Sequence, residues 1–234
     1  MGRKKHTVDL DVERGIAPGI IAKTKKRLVI ASGSSHPELS KAVADALDME
    51  LVPTEHRTFA SGEILTRFEV SIRGCDAFII QSFGPPVNEW LMELLIMLDA
   101  AKRASAKRIT VVAPYYPYSR QDKNGRGREP ISARLVADML KTAGADRVMS
   151  VDLHAAQIQG FFDGPVDHLF AKPVLLDYFE RTLSPEDREI LTVVSPDMGR
   201  VRVADTWSDS LGAPLAIIHK RRDPKVANQV SVHE

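Results

Sequence analysis

The sequence predicts a mostly parallel α/β fold, and three observations carry the prediction. Short β-branched apolar runs alternate along the chain with segments whose apolar residues recur at helical spacing, the pattern of helices laid over a parallel sheet. Polar and charged clusters follow the carboxyl ends of several of these runs, where open α/β sheets take their ligands. A faint repeat with an offset of 164 residues aligns Ile30 with Val194, Ala44–Leu47 with Ser208–Leu211 and Leu51 with Leu215. Each copy reads strand, small polar turn, helix, strand, which favours two similar α/β domains, the second beginning near residue 165.

Taken in order, Arg27–Ala31 (RLVIA), Ala77–Gln81 (AFIIQ), Ile109–Ala113 (ITVVA), Val148–Val151, Ile190–Val194 (ILTVV) and Leu215–His219 (LAIIH) read as buried strands. Each is short, almost continuously apolar and bounded by turn residues. Ile64, Thr66, Phe68, Val70 and Ile72 alternate with Leu65, Arg67, Glu69 and Ser71, a period of two that predicts a half-exposed strand in an edge hairpin. Helical spacing covers Pro37–Leu47, Val87–Ala104, Ile131–Ala143 and Val201–Leu211, and Pro37 suits a first helical turn after Ser34, Ser35 or His36. The helix from Val87 is apolar almost all round (Trp90, Leu91, Met92, Leu94, Leu95, Ile96, Met97 and Leu98), so it lies within a core or between subunits.

Composition narrows the class. The 234 residues, 44% of them hydrophobic, are ample for a core, and 27% charged residues of balanced sign exclude a disordered chain. Fourteen glycines and fourteen prolines exclude a collagen-like or low-complexity chain. The single cysteine, Cys75, cannot close an internal disulfide, which points to a reducing compartment. The net charge of +1 hides a gradient, because residues 1–27 carry eight Lys/Arg against three acids. The stretch 1–26 reads as a basic, solvated, flexible tail in preference to a nucleic-acid tether. No secretory pattern follows Met1. The most apolar stretch, Trp90–Ala101, is too short to span a bilayer and contains Glu93 and Asp99, so the reading is of a soluble cytoplasmic protein.

Four polar clusters follow the predicted strands: Pro114–Asp122 (PYYPYSRQD), Asp152-Leu153-His154, Ser195-Pro196-Asp197 and His219–Arg222 (HKRR). The connection 114–130 is unusually long for a compact α/β protein, which marks it as functional. Arg120–Arg128 holds four cations and one acid, as does Lys220–Lys225. Two such loops suit a polyanion such as a phosphate chain, with a solvated, salt-bridged surface as the competing reading. Tyr115, Tyr116 and Tyr118 either stack on a base or pack against the sheet. Asp152 and His154, two residues apart, either face together to hold Mg²⁺ directly or through water, or serve as a capping Asp with a hydrogen-bonded His. Asp197 has the same two readings. Ser32–Ser35, before the first helix, is an anion site at a helix amino terminus or an ordinary capping turn. The sequence has no GxxxxGK[ST], GxGxxG, HExxH or GxSxG. The residues alone therefore give a phosphate-ligand α/β protein with a Mg²⁺ dependence, and no reaction.

Six strings go further: FASGEILTRFEVSIRGCDAFIIQS, LMELLIMLDAAKRASAKRITVVAPYYPYSRQD, PISARLVADMLKTAGADRV, VDLHAAQIQGFFDGPVDHLFA, VVSPDMGRV and IHKRRDP. Together, and in this order from about Arg27 to the last residue, they closely resemble the ribose-phosphate pyrophosphokinase (phosphoribosyl pyrophosphate synthetase) family. The resemblance implies two phosphoribosyltransferase-like parallel-sheet domains, here 27–164 and a partial second domain over 165–234, in a homo-oligomer, commonly a hexamer. It implies transfer of the β,γ-pyrophosphoryl group of Mg-ATP to the 1-hydroxyl of ribose 5-phosphate, with release of AMP. Arg120 and Gln121 match the pair that contacts the ATP base and phosphates. Phe59, Ser61, Gly62 and Glu63 match the loop that a neighbouring subunit contributes to the adenine pocket, Ser61 standing where the family often has Asp. His154 and Asp197 match the Mg²⁺-ATP positions, and Lys220 and Arg222 the mobile-loop cations that stabilise the transferring group. The family's ribose-5-phosphate loop would fall beyond Glu234, so the resemblance implies a chain that stops before that loop. A non-catalytic regulatory member that binds nucleotide or an active partner subunit is the alternative expectation.

Overall fold

The structure is a computed structural model that describes residues 27–222 and 230–233, with 219–222 and 230–233 described as backbone only. The basic tail expected over 1–26 lies outside the described residues. Two compact units divide between Leu169 and Phe170.

In chain order the first unit contains β1 (Leu28–Ser32), α1 (Pro37–Ala46), β2 (Thr54–Thr58), β3 (Ile64–Phe68), β4 (Asp76–Ile80), α2 (Val87–Arg103), β5 (Arg108–Ala113), α3 (Ser132–Ala143), β6 (Arg147–Val151) and β7 (Val166–Leu169). Five of the strands form one parallel sheet in the order β1-β4-β5-β6-β7. The continuous apolar runs of the sequence arise because alternate residues face opposite covered sides. Ile79, Val111 and Val148 join Leu94, Met97, Leu98, Val136 and Leu140 in the larger core against α2 and α3. Ile30, Ile80 and Val112 pack instead with Val43 and Ala44 of α1.

Helix α1 begins with Pro37 behind His36, whose Nδ1 accepts from the Leu39 amide at 3.2 Å, so His36 is the capping side chain. Helix α2 turns Leu91, Leu94, Met97, Leu98 and Ala101 into the core and leaves Met92 53% exposed. The alternation expected over 64–72 is a strand only to Phe68, where the Glu69 amide bonds back to Pro53 O. It pairs antiparallel with β2 as a two-stranded ribbon, and that ribbon makes no strand ladder with the main sheet.

The second unit contains α4 (Lys172–Thr182), α5 (Pro185–Ile190), β8 (Val193–Ser195), α6 (Val201–Leu211), β9 (Leu215–Ile217), β10 (His219–Arg222) and β11 (Val230–His233). Strands β8 and β9 pair in parallel around α6, the strand–helix–strand unit expected there. The strand expected over Ile190–Val194 is displaced. Ser184 Oγ accepts from the Asp187 amide at 3.1 Å and Pro185 opens a helix that consumes Ile190, so only Val193–Ser195 is extended. The strand expected over Leu215–His219 ends at Ile217, and His219–Arg222 pairs antiparallel with Val230–His233. Residues 223–229 and Glu234 lie outside the described residues. Strand β7 and helices α4 and α5 have no counterpart among the predicted elements.

Candidate active site

The β2–β3 turn is built by its own backbone. The Phe59 amide donates to Glu63 O at 2.8 Å and the Gly62 amide to Phe59 O at 2.9 Å. Gly62 has φ +89°, a left-handed conformation that favours glycine. Ser61 Oγ donates to Glu63 Oε2 at 2.8 Å, so the hydroxyl proton is committed within the turn. Phe59 is exposed, with the Arg57 guanidinium 4.6 Å above its ring. Between this turn and the start of α2 lies a cleft of about 600 Å³ lined by Ser61, Gly62, Glu63, Ile64, Asn88, Glu89, Met92 and Ile96.

The connection 114–131 holds no helix or strand, as its length implied. Tyr116 packs into the core and donates from its hydroxyl to Ala133 O at 3.1 Å. Burial, with the negative charge of Asp138 adding to it, pushes its phenol well above the ordinary tyrosine range. Tyr116 is therefore an anchor rather than a stacking surface. Tyr118 bonds to Asn88 Oδ1 through its hydroxyl, and Tyr115 is exposed. Gln121 is held by three contacts: its amide donates to Tyr118 O at 2.9 Å, its carbonyl accepts from the Ala133 amide at 3.1 Å, and its side chain accepts from Ser132 Oγ.

Both acids of this loop are engaged by the protein, Asp122 buried and Glu129 at the surface. Asp122 is buried and accepts from Gln157 Nε2 at 2.6 Å. Glu129 Oε2 takes the amides of Gly125 and Arg126 at 3.1 and 3.0 Å. Arg120, Lys123, Arg126 and Arg128 are exposed. Both carboxylates brace the loop from within, and a cationic face remains, which suits a phosphate chain.

At the end of β6, Asp152 and His154 are exposed on either side of buried Leu153. Asp152 adopts φ +45°. Its amide donates to Leu169 O at 2.9 Å, and the Leu153 amide donates to His168 Nε2 at 3.0 Å. Both bonds come from β7, so a strand that sequence reasoning missed fixes the turn. His168, Gln157 and Asn88 are likewise supporting residues that the sequence did not single out.

The turn Ser32–Ser35, one reading of which was an anion site, has its amide occupied. Ser34 N donates to the buried Glu93 carboxylate at 2.7 Å.

The four clusters expected along one sheet edge divide between the units. Two follow β5 and β6 of the five-stranded sheet. Asp197 follows β8 in the second unit, its carbonyl accepting from Ser195 Oγ at 2.8 Å. His219–Arg222 is itself a strand, because the ladder with β11 uses the backbone groups that a loop would leave open. The backbone of Lys220 and Arg222 lies in β10, and their side chains lie outside the described residues. The first unit thus contains Phe59, Ser61, Gly62, Glu63, Arg120, Gln121 and His154, and the second Asp197, Lys220 and Arg222. Among the described residues no three or more His, Cys, Asp or Glu side chains are grouped to hold a metal ion. The exposed Asp152 and His154 fit an ion that takes one or two protein ligands and completes its shell with phosphate and water, the usual way Mg²⁺ is held.

Fold and candidate site together describe an α/β protein with a cationic loop and an Asp-x-His turn at the carboxyl ends of adjacent parallel strands. Comparison with known proteins narrows the class to one family. Residues 28–144 match the family model for the N-terminal domain of ribose phosphate pyrophosphokinase. The chain is 62% identical over 216 residues to the ribose-phosphate pyrophosphokinase of Streptomyces coelicolor, covering 92% of this chain and 66% of that protein. It is 60% identical over 207 residues to that of Mycobacterium tuberculosis, covering 88% of this chain and 63% of that protein. The crystal structure of phosphoribosylpyrophosphate synthetase from Mycobacterium smegmatis superposes with a TM-score of 0.80 at 57% identity, covering 89% of this chain and 67% of that one. The chain belongs to the ribose-phosphate pyrophosphokinase family, and spans somewhat under two thirds of the length of the curated relatives it matches.

Proposed function

We propose that this chain binds Mg-ATP and serves the transfer of the ATP β,γ-pyrophosphoryl group to the 1-hydroxyl of ribose 5-phosphate, giving phosphoribosyl pyrophosphate and AMP. The observation that carries the reading is the loop after β5, where Asp122 is buried on Gln157, Glu129 is engaged by the loop's own amides, and Arg120, Lys123, Arg126 and Arg128 are exposed. In phosphoryl-type transfer the protein contributes alignment and neutralised charge more than covalent chemistry. Arg120 and Gln121 bind the nucleotide, and the backbone clasp on Gln121 holds the pair in place before the ligand arrives. Phe59 offers a ring edge to the adenine, and Glu63 and Ser61 offer hydrogen-bonding oxygens. In the family arrangement this turn serves a neighbouring subunit, so the functional form is a cytoplasmic homo-oligomer, a hexamer by family likeness.

By family likeness His154, with Asp152 beside it, in the first unit and Asp197 in the second would each serve as a ligand position for Mg²⁺, which when bound would neutralise the triphosphate and polarise the transferring group. Lys220 and Arg222 donate to that group and close over it, excluding water that would hydrolyse ATP.

The test is AMP release from ATP and Mg²⁺ with and without ribose 5-phosphate. AMP formed only in the presence of ribose 5-phosphate supports the reading. ATP bound without AMP release supports instead a regulatory member that binds nucleotide and transfers nothing.

A further inference from the structure

The β2–β3 ribbon that ends in the turn Phe59–Glu63 makes no ladder with the main sheet. A line of polar side chains nevertheless runs from beneath it into the core. Glu93, on the inner side of α2, is 4% exposed. Its Oε1 accepts from Gln81 Nε2 at 2.8 Å and from the Ser34 amide at 2.7 Å. Its Oε2 lies 3.7 Å from Nδ1 of His56, on β2. His56 reaches Ser32 O through Nε2 at 3.0 Å and Thr66 Oγ1 through Nδ1 at 3.3 Å. A carbonyl can only accept, so Nε2 carries a ring proton and donates to Ser32 O. Gln81 is fixed in turn, because its Oε1 accepts from Ser35 Oγ at 2.6 Å, and a Cβ on Gly33 would lie 2.2 Å from that same oxygen.

A buried carboxylate is costly to desolvate, and none of the roles given above to Arg120, His154 or Lys220 draws on this one. Its position gives it a purpose. His56 and its register partner Thr66 lie midway along the ribbon, two residues from either end of the turn. Among the described residues His56 makes the side-chain hydrogen bond that ties the ribbon to β1, Thr66 holds its imidazole from within the ribbon, and Glu93 of α2 lies beside it, while Phe68 of β3 packs against the main core. Beyond them the strands run on without side-chain ties to the sheet. A shift of the imidazole therefore swings the turn relative to the cleft that it lines with Asn88 and Glu89.

We infer that His56 and Glu93 are positioning residues that aim the base-contacting turn. The inference rests on the proposed role of Phe59–Glu63 at the adenine, and it adds a specificity element. The link affects how well the base is held and leaves the hold on the phosphate chain untouched.

The test measures binding of ATP and of tripolyphosphate, each with Mg²⁺, to the wild-type chain and to His56→Ala and His56→Gln. Removing a hydrogen bond of this kind weakens a dependent ligand by about tenfold. His56→Ala is expected to weaken ATP by about that factor while tripolyphosphate binds within about twofold of wild type. His56→Gln, which keeps a donor for Ser32 O, restores ATP binding. Amide exchange at 59–63 quickens in His56→Ala and returns to the wild-type rate in His56→Gln, a readout that needs no ligand. ATP binding unchanged in His56→Ala, or an equal loss for both ligands, overturns the inference alone. A wild-type chain that binds tripolyphosphate but shows no preference for ATP overturns the adenine role of the turn, and the inference with it.

Discussion

The two units use their apolar residues in opposite ways. The first closes a core of 22 buried residues on five parallel strands, with helices on both faces. In the second, Ser195, Ala204 and Ala213 are the buried residues among those described, while Val174, Tyr178, Ile190 and Met198 are 60% or more exposed. The physical difference is sheet width. A five-stranded sheet presents enough surface to cover α2 and α3 along their length. The two-stranded β8–β9 pair covers α6 alone, and no residue of α4 or α5 is buried. Local order in the second unit rests instead on caps such as Ser184 on the Asp187 amide and on the edge-on rings of Tyr178, Phe179 and Trp207. The lesson is that two stretches of α/β pattern alike in sequence differ in stability according to how many strands each can lay side by side.

The sharpest way to probe the contrast is through chemistry. Lys220→Ala, in the second unit, is expected to lower kcat by roughly 100-fold with little change in ATP affinity, since one well-placed donor to the transferring group is worth about 3–4 kcal/mol. Arg120→Ala, in the first, is expected to weaken ATP binding by about tenfold, a loss of about 1.4 kcal/mol. Steady-state kinetics beside equilibrium binding separates the two, and equal behaviour would erase the division of labour between units.

Stability comes next. Leu94→Ala removes a fully buried side chain from the first core and is expected to cost about 3 kcal/mol, whereas Val174→Ala, 71% exposed, should cost less than about 0.5 kcal/mol. Trp90 lies in the first unit and Trp207 in the second, so single-tryptophan variants followed in urea report each separately. Coincident transitions for both probes would show that the units unfold as one.

Glycines give a finer comparison. At Gly33 a methyl group meets Gln81, which is already hydrogen-bonded to Glu93 and Ser35, and Gly33→Ala is expected to cost about 2 kcal/mol. At Gly212 there is open space and only the φ of +62° resists, so Gly212→Ala should cost about 1 kcal/mol. Reversal of that order in urea midpoints would mean that Gln81 yields easily and that its network is loose.

The smallest effect is alkaline. Burial keeps the Tyr116 phenol neutral in the folded chain, with Asp138 reinforcing the shift, while in the unfolded chain it ionises near pH 10. The folded-state pKa is the higher one, so this contribution is complete below about pH 10 and falls as the pH climbs past it. Tyr116→Phe should flatten the decline seen by Trp90. An unchanged slope would assign the alkaline loss to other groups.

How far the sequence could be read follows the same divide. Strands β1, β4, β5 and β6 and helices α1, α2, α3 and α6 were legible within a residue or two at each end, because burial on both faces writes a continuous apolar run and a helix on a sheet writes a stripe. Helix α4 was missed although Val174, Leu175, Tyr178 and Phe179 recur at helical spacing, a stripe that the described structure does not bury. Helix α5 was misread as a strand from the run Ile190–Val194, although Ser184-Pro185-Glu186-Asp187 is a cap, a helix-starting proline and an acidic first turn. In the site, the loop after β5 and the Asp152–His154 turn were legible as clusters at strand ends. Their supports were not, since Gln157 on Asp122 and His168 on the Leu153 amide act across distances in sequence that no local pattern encodes.

The ribbon that stands apart from the sheet also sets an order of events. Its pairing is local, Thr58 with Ile64 and then back to Thr54 with Phe68, and hairpins of this kind close in about 1–10 μs. The main sheet begins by pairing Leu28 with Asp76, across all of α1 and the ribbon itself, and must first bear the entropy of closing that loop. The turn bearing Phe59 and Glu63 is therefore expected to take shape while the sheet beneath it is still open. The contact of His56 with Ser32 is among the last to be made, because its acceptor does not exist until β1 has found its place.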